Sequence, residues 1–134
     1  LFDDAAEAHK ALNELAASGI GISIDDFGTG NASLIHLTRF PVGIIKIDRS
    51  FTRAIGLGRA EEALIETILV MAKRLDLRVV AEGVETREQY EYLRERNCDF
   101  VQGYFLGRPV SAVEFLEMAR ETGTPRAATL VSVE

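Results

Sequence analysis

The stretch that decides the fold is Ile22–Leu34, ISIDDFGTGNASL. An apolar run leads into two adjacent carboxylates, Asp25 and Asp26, and the chain then turns through Phe27-Gly28-Thr29-Gly30. The run reads as a short buried strand and the glycines as the loop after it. Like charges side by side raise each other's pKa unless something positive lies beside them. A metal ion is one such thing. Taken alone, the pair reads equally well as a turn and capping device, because Asp is common ahead of Gly loops.

Outward from this stretch the chain alternates. Upstream, residues 3 to 17 place Ala5, Ala8, Leu12 and Leu15 at helical spacing, and Gly19 ends the helix as a left-handed cap does. IGISID is the first strand, ASLIHLTRF a short helix ending before Pro41, and GIIKID the second strand. Residues 59 to 75 set Ala60, Leu64, Ile68, Met71 and Leu75 along one helical face. LRVVAEG is the third strand. TREQYEYLRERN is a helix capped by Thr86, with Tyr90 and Leu93 on its buried side. DFVQGY is the fourth strand, and SAVEFLEMARET a last helix with Ser111 and Glu114 spaced as a capping box. Residues 123–134 read as a tail or linker. This order predicts an α/β fold of parallel strands joined by right-handed crossovers, with both faces of each strand covered. Neither a dinucleotide fingerprint nor a Walker loop is present, and the GTG after the aspartates fits neither spacing.

The chain has 134 residues, one domain or part of one, and 47% of them are hydrophobic, enough for a core. A net charge of −6 argues against a nucleic-acid polymer or a membrane surface as partner. It leaves room for a small anionic ligand, because bound cations invert the local charge. The single cysteine, Cys98, excludes an intrachain disulfide and reads as a small buried hydrophobe rather than a nucleophile. His9 and His36 read as helix residues without a partner at metal-ligand spacing. With no signal peptide and no apolar run near membrane-spanning length, a cytoplasmic setting is the simplest expectation. The first residue is Leu rather than Met, which suggests a piece of something longer.

Each strand ends in groups unusual for a core. They are Asp25 and Asp26, then Lys46 and Asp48, then Glu82 with Glu85 a turn later, then Gln102 on the fourth strand. Barrel enzymes build their sites this way, from side chains converging at the C-terminal strand ends. Carboxylates suit hard cations such as Mg²⁺, Mn²⁺ or Ca²⁺, and a lysine beside them suits a phosphate oxygen or an attacking water. Metal-assisted hydrolysis of a phosphodiester fits the set. The plainer alternative for Lys46 is a salt bridge to Asp48 or a barrel neighbour. Glu85 reads as a structural hydrogen-bond acceptor.

Four blocks, DDFGTGNASL, FPVGIIKIDRSF, VVAEGVET and CDFVQGYFLGRPV, occur in that order. Together they resemble the C-terminal signature blocks of the EAL domain, the family of bacterial cyclic di-GMP phosphodiesterases. The resemblance implies half of a TIM-type (β/α)8 barrel, strands five to eight, over residues 1–122. It implies a site for two divalent cations, Mg²⁺ or Mn²⁺, and hydrolysis of cyclic di-GMP to linear pGpG in second-messenger signalling. Carried over, Asp25, Asp26 and Glu82 become metal ligands, with Asp25 bridging. Lys46, Glu82 and Gln102 become catalytic residues, and Asp48 and Glu85 supporting ones. The loop from Phe27 to Leu34 matches a mobile segment linking the site to dimerisation in that family.

The departures are specific. The family's Glu-Ala-Leu motif is not found ahead of the aspartates. The same letters in EALIE, residues 62–66, read as coincidence, with Glu62 facing solvent and Ala63 and Leu64 packing. A metal-binding Asn and a further Glu from earlier strands are also missing. Asn31 stands where an aromatic is common, and Gly43 where an Asp is common. Half a barrel leaves two open sheet edges. The expectation is therefore a homo-oligomer, or association with the missing N-terminal half. The alternative function is a catalytically inactive module that binds nucleotide or a protein partner.

Overall fold

The computed structural model describes residues 2–30 and 34–121. In chain order the elements are α1 (Phe2–Ala17), β1 (Ile22–Phe27), α2 (Leu34–Arg39), β2 (Val42–Ile47) and α3 (Arg49–Arg53). They continue with α4 (Arg59–Arg74), β3 (Arg78–Ala81), α5 (Arg87–Glu95), β4 (Phe100–Val101) and α6 (Ala112–Glu121). The strands form one sheet in the order β1-β2-β3-β4, and every neighbouring pair is parallel. Asn31, the side chain of His36 and the 123–134 tail lie outside the described residues.

Local chemistry sets the boundaries. Gly19, at φ +83, closes α1, and the Ile20 amide donates to the Leu15 carbonyl at 3.1 Å. A full capping box opens α5. The Gln89 amide donates to Thr86 Oγ1 at 3.2 Å, and Gln89 Oε1 accepts from the Thr86 amide at 3.1 Å. Ser111 and Glu114 make the corresponding exchange at α6, with the Ser111 amide donating to Glu114 Oε2 at 2.9 Å. The core lies between sheet and helices. Ile45, Ile47, Val79, Ala81, Ile65, Ala72 and Leu93 are fully buried, and burying each large aliphatic side chain contributes about 1.5–3 kcal/mol.

Five expectations change. First, β1 is not covered on both faces: Ser23, Asp25 and Asp26 are exposed while Ile22 and Ile24 are half-buried. Among the described residues it is an edge strand, with β2 on one side only. Second, the buried face of α4 runs through Ile65, Ile68 and Ala72, whereas Leu64 and Leu75 are exposed. The apolar stripe is wider than one ridge, and packing against β3 and the shared core selects the ridge of Ile65, Ile68 and Ala72. Third, Glu62 is half-buried rather than solvated, and its Oε1 accepts from the Gly56 amide at 2.8 Å, while Ala63 and Leu64 are exposed. Fourth, β4 ends at Val101, so Gln102 lies one residue beyond it. Its backbone still continues the ladder, donating to Ala81 at 2.9 Å and accepting from Val84 at 3.0 Å. Fifth, α3 fills a segment to which the periodicity assigned no element.

Candidate metal centre at the C-terminal strand ends

Asp25 and Asp26 are adjacent, so in a regular strand their side chains would point to opposite faces. β1 is not regular there. Ile24 pairs with Ile45 and Phe27 with Ile47, so the three steps along β1 match two along β2. The extra residue is a bulge, and Asp26 takes φ +51 within it, a left-handed conformation that Asp tolerates better than most residues. The bulge turns both carboxylates to one side. One ligand atom each from Asp25, Asp26 and Glu82 lies within 4.8 Å of the others, and no other such group occurs among the described residues.

Lys46 sits inside this cluster. It projects from β2, between the strands that carry the acids. Its Nζ donates to Asp25 Oδ1 at 3.1 Å and to Oδ2 at 3.0 Å, and pairs with Glu82 Oε1 at 2.5 Å. Burial by itself would lower the lysine pKa. The hydrogen bonds and charges of Glu82 and Asp25 outweigh it and hold the ammonium above its ordinary value. Side-chain exposure falls from 60% at Asp25 to 24% at Lys46 and 20% at Glu82. Lys46 therefore pairs with Asp25 and Glu82 rather than with Asp48.

Asp48 lies off the cluster. It is the N-cap of α3, where its Oδ1 accepts from the Ser50 amide at 2.9 Å. Glu85 pairs with Arg53 at the other end of α3, at 3.1 Å, and its amide donates to Gln89 Oε1 at 2.7 Å. Gln102 sits just past the end of β4, half-buried, at the same C-terminal end of the strands as the acids. Cys98 is tucked against the start of β3, with its thiol pushed up to about 11 mainly by burial. His9 is exposed on α1 and accepts from Asn13. The residues that reading the sequence missed are Arg49, Phe51 and Arg53 of α3. The available signal was Asp48-Arg49-Ser50, an N-cap residue followed by a short polar turn.

Chemically, three hard oxygen donors, two of them paired with one ammonium, are suited to a divalent cation and a phosphate. The donor set fits one such ion: one atom from each carboxylate can face a common point, and each is an acceptor only.

Comparison with known proteins gives the same direction. A family model described as EAL domain matches residues 1–109. A Pseudomonas aeruginosa protein, cyclic di-GMP phosphodiesterase NbdA, is 44% identical over 117 residues, covering 85% of this chain and 15% of the relative. The crystal structure of the EAL domain of Mycobacterium smegmatis DcpA superposes with a TM-score of 0.81 at 32% identity, over 88% of this chain and 53% of that one. A manganese and cyclic di-GMP complex of Klebsiella pneumoniae BlrP1 superposes with a TM-score of 0.65 at 36% identity, over 71% of this chain and 24% of that one. The chain thus spans about half of an EAL domain structure and a small part of the curated relatives it matches. Its four-stranded parallel sheet is a partial TIM-type barrel.

Proposed function

Because the chain belongs to the EAL domain family, we propose that it forms one side of a cyclic di-GMP phosphodiesterase site, over residues 1–122, that yields linear pGpG. The observation that carries this reading is the convergence of Asp25, Asp26 and Glu82, with Lys46 paired to Asp25 and Glu82. Asp25, Asp26 and Glu82 would hold the divalent cation, with Mg²⁺ or Mn²⁺ the fitting ions and manganese present in the BlrP1 complex. That cation would supply charge neutralisation at the phosphodiester. The chain's own residues do the rest. Lys46, kept cationic, pairs with the non-bridging phosphate oxygens and with the charge that develops on them. Glu82, in contact with Lys46, accepts the proton of the attacking water. The water oxygen forms the new bond to phosphorus as the bond to the ribose 3′ oxygen breaks, and that oxygen takes its proton from solvent. Gln102 contributes an amide contact at the mouth, and Asp48 and Glu85 support the surrounding turns.

No helix among the described residues is long and apolar enough to cross a membrane. A doubly anionic dinucleotide does not cross a bilayer unaided, so we assign the domain to the compartment that makes its substrate, the cytoplasm. Open edges at β1 and β4 support association with a second copy or with the complementary half of the barrel.

The test is incubation with cyclic di-GMP and Mn²⁺, with chromatographic separation of the linear dinucleotide. Product that Lys46→Ala and Asp25→Asn both abolish supports the reading. A chain that binds Mn²⁺ and cyclic di-GMP yet forms no product is instead a binding module.

A further inference from the structure

We propose that α3 is a positioning wedge, with Phe51 as its working edge, that sets how far the loop starting at Gly28, directly after the Asp25–Asp26 end of β1, stands from the loop bearing Glu82. The two loops leave β1 and β3, and α3 follows β2, the strand between them. Five residues of α3 reach both sides. Toward β1, the Phe51 ring lies against Gly28: a Cβ added there would sit 2.8 Å from Cε2 and 2.9 Å from Cζ. Toward β3, Arg49 lies against Gly83, where an added Cβ would come within 2.5 Å of the Arg49 Cβ. Both glycines have positive φ, +101 and +69, so backbone approach and conformation are specified together. Gly28 comes two residues after Asp26, and Gly83 comes immediately after Glu82.

The wedge is itself anchored. Thr52 is fully buried and Ile55 nearly so, which fixes α3 to the core below. Asp48 caps its start, and Arg53 pairs with Glu85 at its end. This gives the two supporting carboxylates a physical role: they hold α3 at its two ends rather than meeting the cation. The exposed Arg53–Glu85 pair contributes little energy. The packing of Phe51 and Arg49 on glycine backbone therefore carries the positioning. The consequence for cation binding rests on the proposed metal site; the coupling between loops does not.

The experiment separates the two. Amide hydrogen exchange is measured on the wild-type chain and on Phe51→Leu, which keeps an apolar side chain but withdraws the ring edge. The amides of Thr29 and Glu82 report the two loops, through their bonds to Asp26 and Ile47. Those of Leu75 and Cys98 report the distant body of the fold. The expected result is at least about tenfold faster exchange at Thr29 and Glu82 relative to Leu75 and Cys98. An equal rise at all four would make Phe51 an ordinary core residue and overturn the wedge. In parallel, Mn²⁺ affinity is followed by the electron paramagnetic resonance of the free ion, for Gly28→Ala, Phe51→Leu and the double variant. Gly28→Ala alone weakens binding about tenfold, and at least about threefold less on the Phe51→Leu background, because the shortened side chain makes room. Losses that simply multiply refute the contact. Local exchange without any Mn²⁺ binding by the wild type sinks the metal site and leaves the wedge standing.

Discussion

Replacing Lys46 with Met removes the one ammonium lodged among Asp25, Asp26 and Glu82 while keeping an unbranched apolar stem. The cost follows from separation and exposure. Two unit charges 4.8 Å apart, the outer limit of the cluster, repel by roughly 0.9 kcal/mol at the dielectric of water and about 3.5 kcal/mol at an effective value near 20. Asp25 is 60% exposed, so its pairs lie toward the lower figure, while Glu82 at 20% lies higher. A loss of about 1–3 kcal/mol in chelator at pH 7 is therefore expected, read as a lowered urea midpoint with unchanged slope. Divalent cation should then compensate. Millimolar Mn²⁺ raises the midpoint of Lys46→Met more than that of wild type, since the ion meets three carboxylates without a competing ammonium. Equal midpoints in chelator, together with equal Mn²⁺ shifts, would refute the argument that the lysine neutralises the cluster.

Thr52 is fully buried and its hydroxyl has no hydrogen-bond partner among the described residues, so Thr52→Val should stabilise the fold by about 1 kcal/mol, checked by urea denaturation. A lower midpoint would show that the hydroxyl is satisfied in solution. Asp48→Ala should cost about 1 kcal/mol through the lost cap of α3. Bonds from Ser50 hold the Asp48 carboxyl below its ordinary value of 3.8, so its contribution is complete above about that pH and fades as pH falls through the lower folded value. Asp48→Asn should keep the cap at pH 7 and flatten that acid dependence in a pH series of melts. With its thiol near 11, Cys98 is about one part in a thousand thiolate at pH 8 in the folded chain. Labelling by a thiol reagent should then track unfolding, and rapid stoichiometric labelling of the native chain would contradict the burial.

The first three strands were legible because each carries β-branched residues that lead to a polar group, and the sheet places them where those runs fall, from Ile22 to Ala81. The acids were legible for the same reason: Asp25, Asp26 and Glu82 interrupt apolar patterns that packing alone would continue. What pattern could not supply was the side to which Asp26 points. Side-chain alternation sends it away from Asp25, and only the bulge against Ile45 and Ile47 brings it back, a property of the pairing partner rather than of the segment. The α4 face failed similarly. Leu64 and Ile65 are both apolar and adjacent in the helix, and the sheet beneath decides which is buried. α3 was missed because five residues are too few to show a helical period, so its one sign was the cap at Asp48.

The exposure gradient across the site has a structural cause that bears on cation affinity. Glu82 follows β3, which has neighbours on both sides, and it is the most covered of the acids. Asp25 and Asp26 lie near the end of β1, which among the described residues has β2 on one side only, and both are exposed. A hard divalent ion in octahedral coordination takes about six oxygens, and the cluster offers one ligand atom from each of three residues. In the proposed site the remaining positions would be open to water, to phosphate oxygens, or to groups brought to the open side of β1. Each such group would both complete the shell and dehydrate the aspartates, strengthening every charge interaction there. The edge beside the bulge is thus the place where a covering surface changes the chemistry most. Covering the β4 side, where the sheet tapers to two residues, would mainly change stability.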